Sequence, residues 1–295
     1  MKIEYCILAL LTIFVIWLNI DVNIKKRYKC KYVVVTGATG GLGKEIVKQI
    51  SKTMNVIALG RNLSLLNELV ENNQTQNKIF PFIFDFSGDL SQFSDQFDSF
   101  LEQNHISKQD IGMCFSNAGI GEFSHFEQTS LISKLDYMHV NFNSHLAVSD
   151  YFCRLFKSRN SAKSALILTS SLIINTPTPC FTLYHASKTA ISALGLALFT
   201  KYRNKIDILV THPSSIGNTN FMKSPGMKTL FSLQQKYISN LSVLPFSVSP
   251  LQIHKNNLKR VGKIAWTNVG LMTDICSLLN GVGRNAKGLF WSLFG

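Results

Sequence analysis

Residues 32–43 read Tyr32-Val33-Val34-Val35-Thr36-Gly37-Ala38-Thr39-Gly40-Gly41-Leu42-Gly43, and the order of residue types in this stretch decides the fold. A β-branched run breaks into glycines and passes directly into a helix-like segment near 42–53. Glycine permits a tight turn and close approach of the backbone to a pyrophosphate, and the helix N-terminus offers unpaired N–H groups and positive dipole to the same anion. Outward from this stretch the alternation repeats. Strands are expected over Tyr32–Thr36, Asn55–Leu59, Ile79–Phe84, Ile111–Phe115, Ala165–Thr169 and Ile206–Thr211. Helix-like segments lie between them near 63–73, 89–104, 129–157 and 184–203. Continuous apolar strands alternating with helices predict a parallel sheet covered on both faces, an α/β doubly wound nucleotide-binding architecture.

Charge is unevenly spread over the 295 residues. The formal net charge is +13, which alone would suggest contact with nucleic-acid phosphates. Residues 32–219, however, hold 15 basic and 14 acidic side chains. The excess sits in Lys25, Lys26, Arg27, Lys29 and Lys31, and beyond residue 219, where nine bases meet the single acid Asp274. A neutral centre without a basic stripe argues against a nucleic-acid partner.

Residues 1–24 contain the uncharged run Tyr5–Ile20 (YCILALLTIFVIWLNI). Sixteen helical residues span about 24 Å, somewhat less than a ~30 Å hydrocarbon core, with Ile3, Val22 and snorkelling lysines available to extend it. The bases follow the run and no small-residue cleavage site succeeds it, so a retained N-terminal transmembrane anchor helix is expected rather than a signal peptide. Residues 25–31 then form a basic juxtamembrane collar that places the following domain on the cytosolic side. The six cysteines lack any C-x-x-C pairing, and His125, His139, His145, His185 and His212 lack ligand spacing, so no metal is expected. Of the three N-x-S/T sequons, the one at Asn62 falls at the end of the second strand.

At that end, Gly60-Arg61-Asn62 offers no acid for a ribose 2′-hydroxyl, and Arg61 suits a 2′-phosphate. This favours NADPH over NADH. Asp85, closing the third strand, suits either an adenine amino group or a helix-capping role.

Taken in order, Thr36-Gly37…Gly41-Leu42-Gly43, Asn117-Ala118-Gly119, Asn141, Ser171 and Tyr184-His185-Ala186-Ser187-Lys188 resemble the short-chain dehydrogenase/reductase family, from about Tyr32 to Asn220. The 13-residue step from Ser171 to Tyr184 and the Asn-Ala-Gly turn resemble its compact branch. The resemblance implies a Rossmann-type fold and a catalytic set of Asn141, Ser171, Tyr184 and Lys188. It implies cofactor contacts from Gly37, Thr39, Gly41, Leu42, Gly43, Arg61, Asp85, Asn117, Tyr184, Lys188 and Thr219. The family's Asn-Asn-Ala-Gly reads Ser116-Asn117-Ala118-Gly119 here. Its Pro-Gly after the sixth strand reads Pro213-Ser214, which moves the nicotinamide-facing threonine one place on and leaves Asn218 competing with Thr219. Ser170 and Asn143 are the neighbours that compete with Ser171 and Asn141.

The chemistry accounts for the spacing. Tyr184 and Lys188 are i and i+4 on one helix face, where an ammonium is expected to lower the phenol pKa so that Tyr184 delivers a proton to a carbonyl oxygen. Ser171 then steadies the developing charge. By resemblance, Lys188 also holds the nicotinamide ribose and Asn141 anchors a water of the proton relay. The catalytic domain is expected over 32–219, a substrate lid over 220–262, and an apolar and basic, membrane-associated segment over 263–295, beginning with a helix-like run from Ile264 to Val282. An anchored compact reductase is similar to endoplasmic-reticulum enzymes that reduce steroid, 3-ketosphinganine, long-chain 3-ketoacyl or retinoid carbonyls. The implied partners are a lipophilic small molecule, a membrane and a second copy of the chain. A non-catalytic NADPH-binding scaffold would have no use for the tyrosine acid.

Overall fold

The computed structural model describes residues 2–121, 124–160, 162–175, 181–214, 216 and 248–269. Its centre is a parallel sheet of strands β1 Tyr32–Val35, β2 Asn55–Gly60, β3 Ile79–Ile83, β4 Ile111–Ser116, β5 Ser164–Thr169, β6 Ile206–Pro213 and β7 Trp266–Val269, in the spatial order β3-β2-β1-β4-β5-β6-β7. All six strands read from the sequence are present, each within about two residues of its expected bounds. The seventh is a correction. Trp266–Val269 was expected inside a helix-like run, yet it pairs in parallel with Val210–Pro213 of β6. Four residues are too few for periodicity to declare, and pairing with a preformed edge supplies the conformation instead.

Helices cover both faces: α3 Gly41–Ile50, α4 Leu63–Glu71, α5 Phe93–Gln103, α6 Leu131–Met138, α7 Ser144–Ser158, α8 Thr182–Tyr202 and α9 Pro250–Arg260. Alternate residues of one strand feed two separate cores. Val33 and Val35 join Leu42, Ile46, Val47 and Ile253 on the α3/α9 face. Val34 joins Phe82, Phe93, Phe97, Phe152 and Phe156 on the other, where the rings meet mostly edge to face. The region 220–262 was expected to be a substrate lid. Its described part, α9, packs against α3 and the sheet, starting from a capping box in which Ser249 and Gln252 satisfy each other's backbone amides. On the other face, α8 approaches the sheet closely at Gly195, where an added Cβ would lie 2.2 Å from Val210 Cγ2.

Before the sheet run α1 Lys2–Asn19 and α2 Ile24–Tyr28. At 18 residues, α1 spans about 27 Å, with Lys2 and Glu4 in its first turn. No helix among the described residues is long and apolar enough to cross a membrane. The expected basic collar does not stand off from the domain. Tyr28 and Cys30 are buried in the core, Arg27 Nε donates to Asp207 Oδ2 at 2.7 Å, and Tyr28 Oη donates to the same oxygen at 3.0 Å. Arg159, 3% exposed, donates to the carbonyls of Tyr28, Lys29, Gln109 and Lys163. The end of α1 is held as well: Lys263 Nζ donates to the carbonyls of Trp17 and Ile20, both at 2.6 Å, and Arg260 donates to that of Leu18.

Because β6 side-chain atoms fill the space beside Gly195, Gly195→Ala is expected to destabilise the domain by about 1–3 kcal/mol, read as a lower urea midpoint. An unchanged midpoint would contradict the close contact.

Candidate active site

Strand order reverses between β1 and β4, and two turns meet there. Gly37 has φ +62°, a conformation strained for residues with a side chain. An added Cβ would sit 2.9 Å from Ala118 Cα. Gly43 lies over the same turn, its would-be Cβ 2.1 Å from Gly37 O. These two glycines are therefore required by backbone packing. Gly40 caps α3 without a side-chain bond, and the first turn carries no acid. The N–H groups there, Gly41 and Leu42 included, are left to an anionic ligand, which fits a dinucleotide pyrophosphate. Leu42 contributes through its backbone, since its side chain is core. Thr39 is half-buried beside Gly60 at the end of β2.

Beyond β2, Arg61 and Asn62 are exposed, and Asn62 caps α4 by accepting from Leu65 N at 3.0 Å. Asp85 Oδ1 accepts from Ser87 N at 2.9 Å and Ser87 Oγ at 2.8 Å. These bonds, with a smaller contribution from Arg61, hold its carboxyl below the usual range. These bonds close a local turn onto Ser87, and the short 3₁₀ helix that follows is capped by Asp89, not by Asp85.

The Asn117-Ala118-Gly119 turn hangs from Thr36, whose Oγ1 accepts from Asn117 N at 2.9 Å and Ala118 N at 3.0 Å. Asn141, fully buried, closes a reciprocal pair with the next residue: Ile120 N donates to its Oδ1 at 2.7 Å and its Nδ2 donates to Ile120 O at 2.9 Å. Between α6 and α7 the chain is π-helical over His139–Asn143, with Asn141 at its middle, a local widening that commonly marks functional positions in helices. The competing Asn143 is exposed and faces His139.

Tyr184 and Lys188 share a face of α8. Lys188 is 5% exposed, donates to Thr169 O at 3.0 Å and lies 5.6 Å from the Tyr184 ring centroid. Burial lowers its pKa to about 8. Tyr184 hydrogen-bonds Ser171, whereas Ser170 is buried and donates to the Lys188 carbonyl at 2.7 Å. Geometry thus separates the two serines: only Ser171 joins Tyr184. The expectation that Lys188 lowers the phenol pKa is corrected. Burial raises Tyr184 above its ordinary value, and the bond to Ser171 is what opposes it. The lysine ammonium faces a backbone carbonyl and the ring rather than the hydroxyl.

Asn141, Ser171, Tyr184 and Lys188 are brought together with Gly119, where an added Cβ would lie 2.9 Å from Asn141 Oδ1 and 3.6 Å from Lys188 Nζ. Thr219 and its rival Asn218 fall outside the described residues. Sequence reading missed the groups that hold the set: Thr36 Oγ1, the carbonyl of Thr169, the backbone of Ile120, and the pair Ser116–His145. Two of the four are backbone groups, which carry no residue signature. Among the described residues no cluster of His, Cys, Asp or Glu is disposed to hold a metal.

The short chain dehydrogenase family model matches residues 31–228, two thirds of the sequence and every element just described. The chain belongs to the short-chain dehydrogenase family. Among its relatives, mouse 17-beta-hydroxysteroid dehydrogenase type 3 is 27% identical over 207 residues, covering 68% of this chain and 65% of that protein. The very-long-chain 3-oxoacyl-CoA reductase of Anas platyrhynchos is 28% identical over 184 residues, covering 59% and 55%. The chain thus spans somewhat less than two thirds of these relatives' lengths. A solved 7beta-hydroxysteroid dehydrogenase superposes with a TM-score of 0.74 at 18% identity, over 93% of this chain and 100% of that one. An alcohol dehydrogenase from Thermococcus sibiricus, complexed with 5-hydroxy-NADP, gives 0.65 at 18% identity, over 82% and 96%. At such identities these structures speak for the fold alone.

A lysine whose pKa falls from 10.5 to about 8 in the fold binds fewer protons than its unfolded counterpart between those values. Stability therefore rises with pH through that window. Lys188→Met is expected to flatten this rise and to be more stable at pH 7 by on the order of 3 kcal/mol, measured by urea denaturation at pH 7 and 9.5. Identical pH slopes in the two proteins would contradict the assignment.

Proposed function

We propose that this protein is an NADPH-dependent oxidoreductase that interconverts a ketone and a secondary alcohol on a lipophilic substrate, at the endoplasmic-reticulum membrane with its catalytic domain in the cytosol. The observation that carries the chemistry is the Ser171–Tyr184 hydrogen bond, with Lys188 buried one helical turn away. The reduced cofactor, when bound, supplies the hydride to the carbonyl carbon. Everything else is done by the chain. Tyr184 gives its hydroxyl proton to the carbonyl oxygen, and Ser171 donates a hydrogen bond to that oxygen as charge develops on it. A phenol kept protonated by burial is suited to act as an acid. Lys188, with a pKa near neutrality, returns a proton to Tyr184, and Asn141 holds the water that connects Lys188 to solvent.

The residues present fit the cofactor. The N-terminus of α3, which has no side-chain cap, would hold the pyrophosphate beside the close Gly37/Ala118 contact, and Lys188 would hold the nicotinamide ribose. Asn117 lines the same side. Arg61, exposed beyond β2, would pair with a 2′-phosphate. Asp85, close enough to Arg61 to feel its charge, borders the adenine end.

The lipophilic substrate class rests on the relatives, whose names specify hydroxysteroids and very-long-chain 3-oxoacyl thioesters. Membrane association is supported by α1. Tyr5, Leu10, Ile13, Phe14, Ile16 and Trp17 are exposed on it and Ile20 just after it, Lys263 binds carbonyls at its end, and Lys25 and Lys26 follow on α2. A helix apolar on all sides is stable only in an apolar surrounding.

Tyr184→Phe is expected to cut turnover of a lipid ketone panel by about 10²–10⁴-fold while leaving NADPH binding intact; equal turnover would overturn the mechanism. Arg61→Asp is expected to reverse the cofactor preference, reducing the ratio of kcat/KM for NADPH over NADH by at least about tenfold. A wild-type enzyme that prefers NADH would refute the role of Arg61 outright.

A further inference from the structure

One buried titratable group plays no part in the mechanism above. His145 is 1% exposed and lies one turn after Asn141 on α7. Its Nε2 is 2.9 Å from Ala118 O and its Nδ1 is 2.8 Å from Ser116 Oγ. A carbonyl only accepts, so Nε2 carries the ring proton. Nδ1 is then the lone-pair nitrogen and the Ser116 hydroxyl donates to it. Both ring nitrogens are satisfied by one neutral tautomer, and burial together with the Lys188 charge keeps the ring neutral, its pKa lowered to about 3.

The helix therefore grips the strand-end turn at two points: Asn141 holds both backbone polar atoms of Ile120, and His145 holds the carbonyl of Ala118. Thr36 holds the amides of Asn117 and Ala118 from the opposite side. Gly119 lies between these grips, and it is the residue whose backbone lies against Asn141 Oδ1 and Lys188 Nζ. Ser116 stands where the family's motif has asparagine, and its hydroxyl meets His145 Nδ1 at 2.8 Å. The change at 116 is thus matched across the turn by a partner.

We propose that Ser116 and His145 form a positioning pair that fixes the Asn117-Ala118-Gly119 turn against Lys188 and so sets the affinity for the nicotinamide-ribose half of the cofactor. This rests on the NADPH reading above. His145 is a positioning residue, since its ring nitrogens are bonded to Ala118 O and Ser116 Oγ.

The test uses the full chain and NADPH binding followed by nucleotide fluorescence, with steady-state kinetics alongside. His145→Leu keeps bulk and loses both bonds. It is expected to weaken NADPH binding about tenfold with the KM of the carbonyl substrate unchanged. His145→Gln, whose amide N–H can still donate to Ala118 O, is expected to recover most of that loss. Ser116→Ala, a small change that leaves Nδ1 bare, is expected to weaken binding about threefold, and it carries the test if the leucine variant does not fold. NADPH affinity of wild-type strength in both His145→Leu and Ser116→Ala overturns the proposal. So does equal impairment of the leucine and glutamine variants, which would make the site a matter of packing. If the wild-type chain itself binds no NADPH, the functional reading fails instead, and the two failures are distinguished.

Discussion

A buried lysine that has no carboxylate partner among the described residues is the constraint around which this site is arranged. Lys188 has left water for a place where it meets the Thr169 carbonyl and the face of Tyr184. Such a charge is costly to bury, and its pKa falls accordingly. The fold tolerates it because the surrounding backbone is held in place independently. Thr36 grips the Asn117-Ala118-Gly119 turn from the end of β1, Asn141 from the π-helical segment and His145 from α7. Ser170 ties the Lys188 carbonyl to the end of β5. A rigid cup keeps the ammonium from relaxing outward, and function follows from that expense: a lysine near 8 can exchange protons at physiological pH.

The rest of the domain supplies the cup's position. Parallel strands put every strand C-terminus on one edge, and the reversal of order between β1 and β4 opens the crevice in which Gly37 meets Ala118. The two cores divided by the sheet make that edge stiff. Arg159 and Arg27 do similar work at the opposite edge, binding the segment before β1 to the starts of β4, β5 and β6.

Much of this was legible in the sequence, for identifiable reasons. Buried parallel strands are continuous apolar runs, so the first six declared themselves. Tyr184 and Lys188 share a helix face by arithmetic, and Ser171 was separable from Ser170 by its step to Tyr184. Other features were not legible. β7 owes its conformation to pairing with β6. The direction of the Tyr184 shift depends on burial against the reach of one ammonium group, which no spacing encodes. The grip on the turn is made largely through backbone atoms, and Ser116 looked like an isolated departure until His145 appeared across from it. For the apolar run at the N-terminus, composition suggested a span; the helix that forms runs over Lys2–Asn19 and is tied at its end by Arg260 and Lys263, and no helix among the described residues is long and apolar enough to cross a membrane.

The central claim is that Lys188 is held buried and near neutrality beside Tyr184. The most direct measurement is a pH titration of the Lys188 side chain by NMR in ¹³C-lysine-labelled protein, assigned by its loss in Lys188→Met. A midpoint near 8 is the result this account predicts. A midpoint at the ordinary lysine value near 10.4 would mean that the ammonium is solvated and that the site is built some other way.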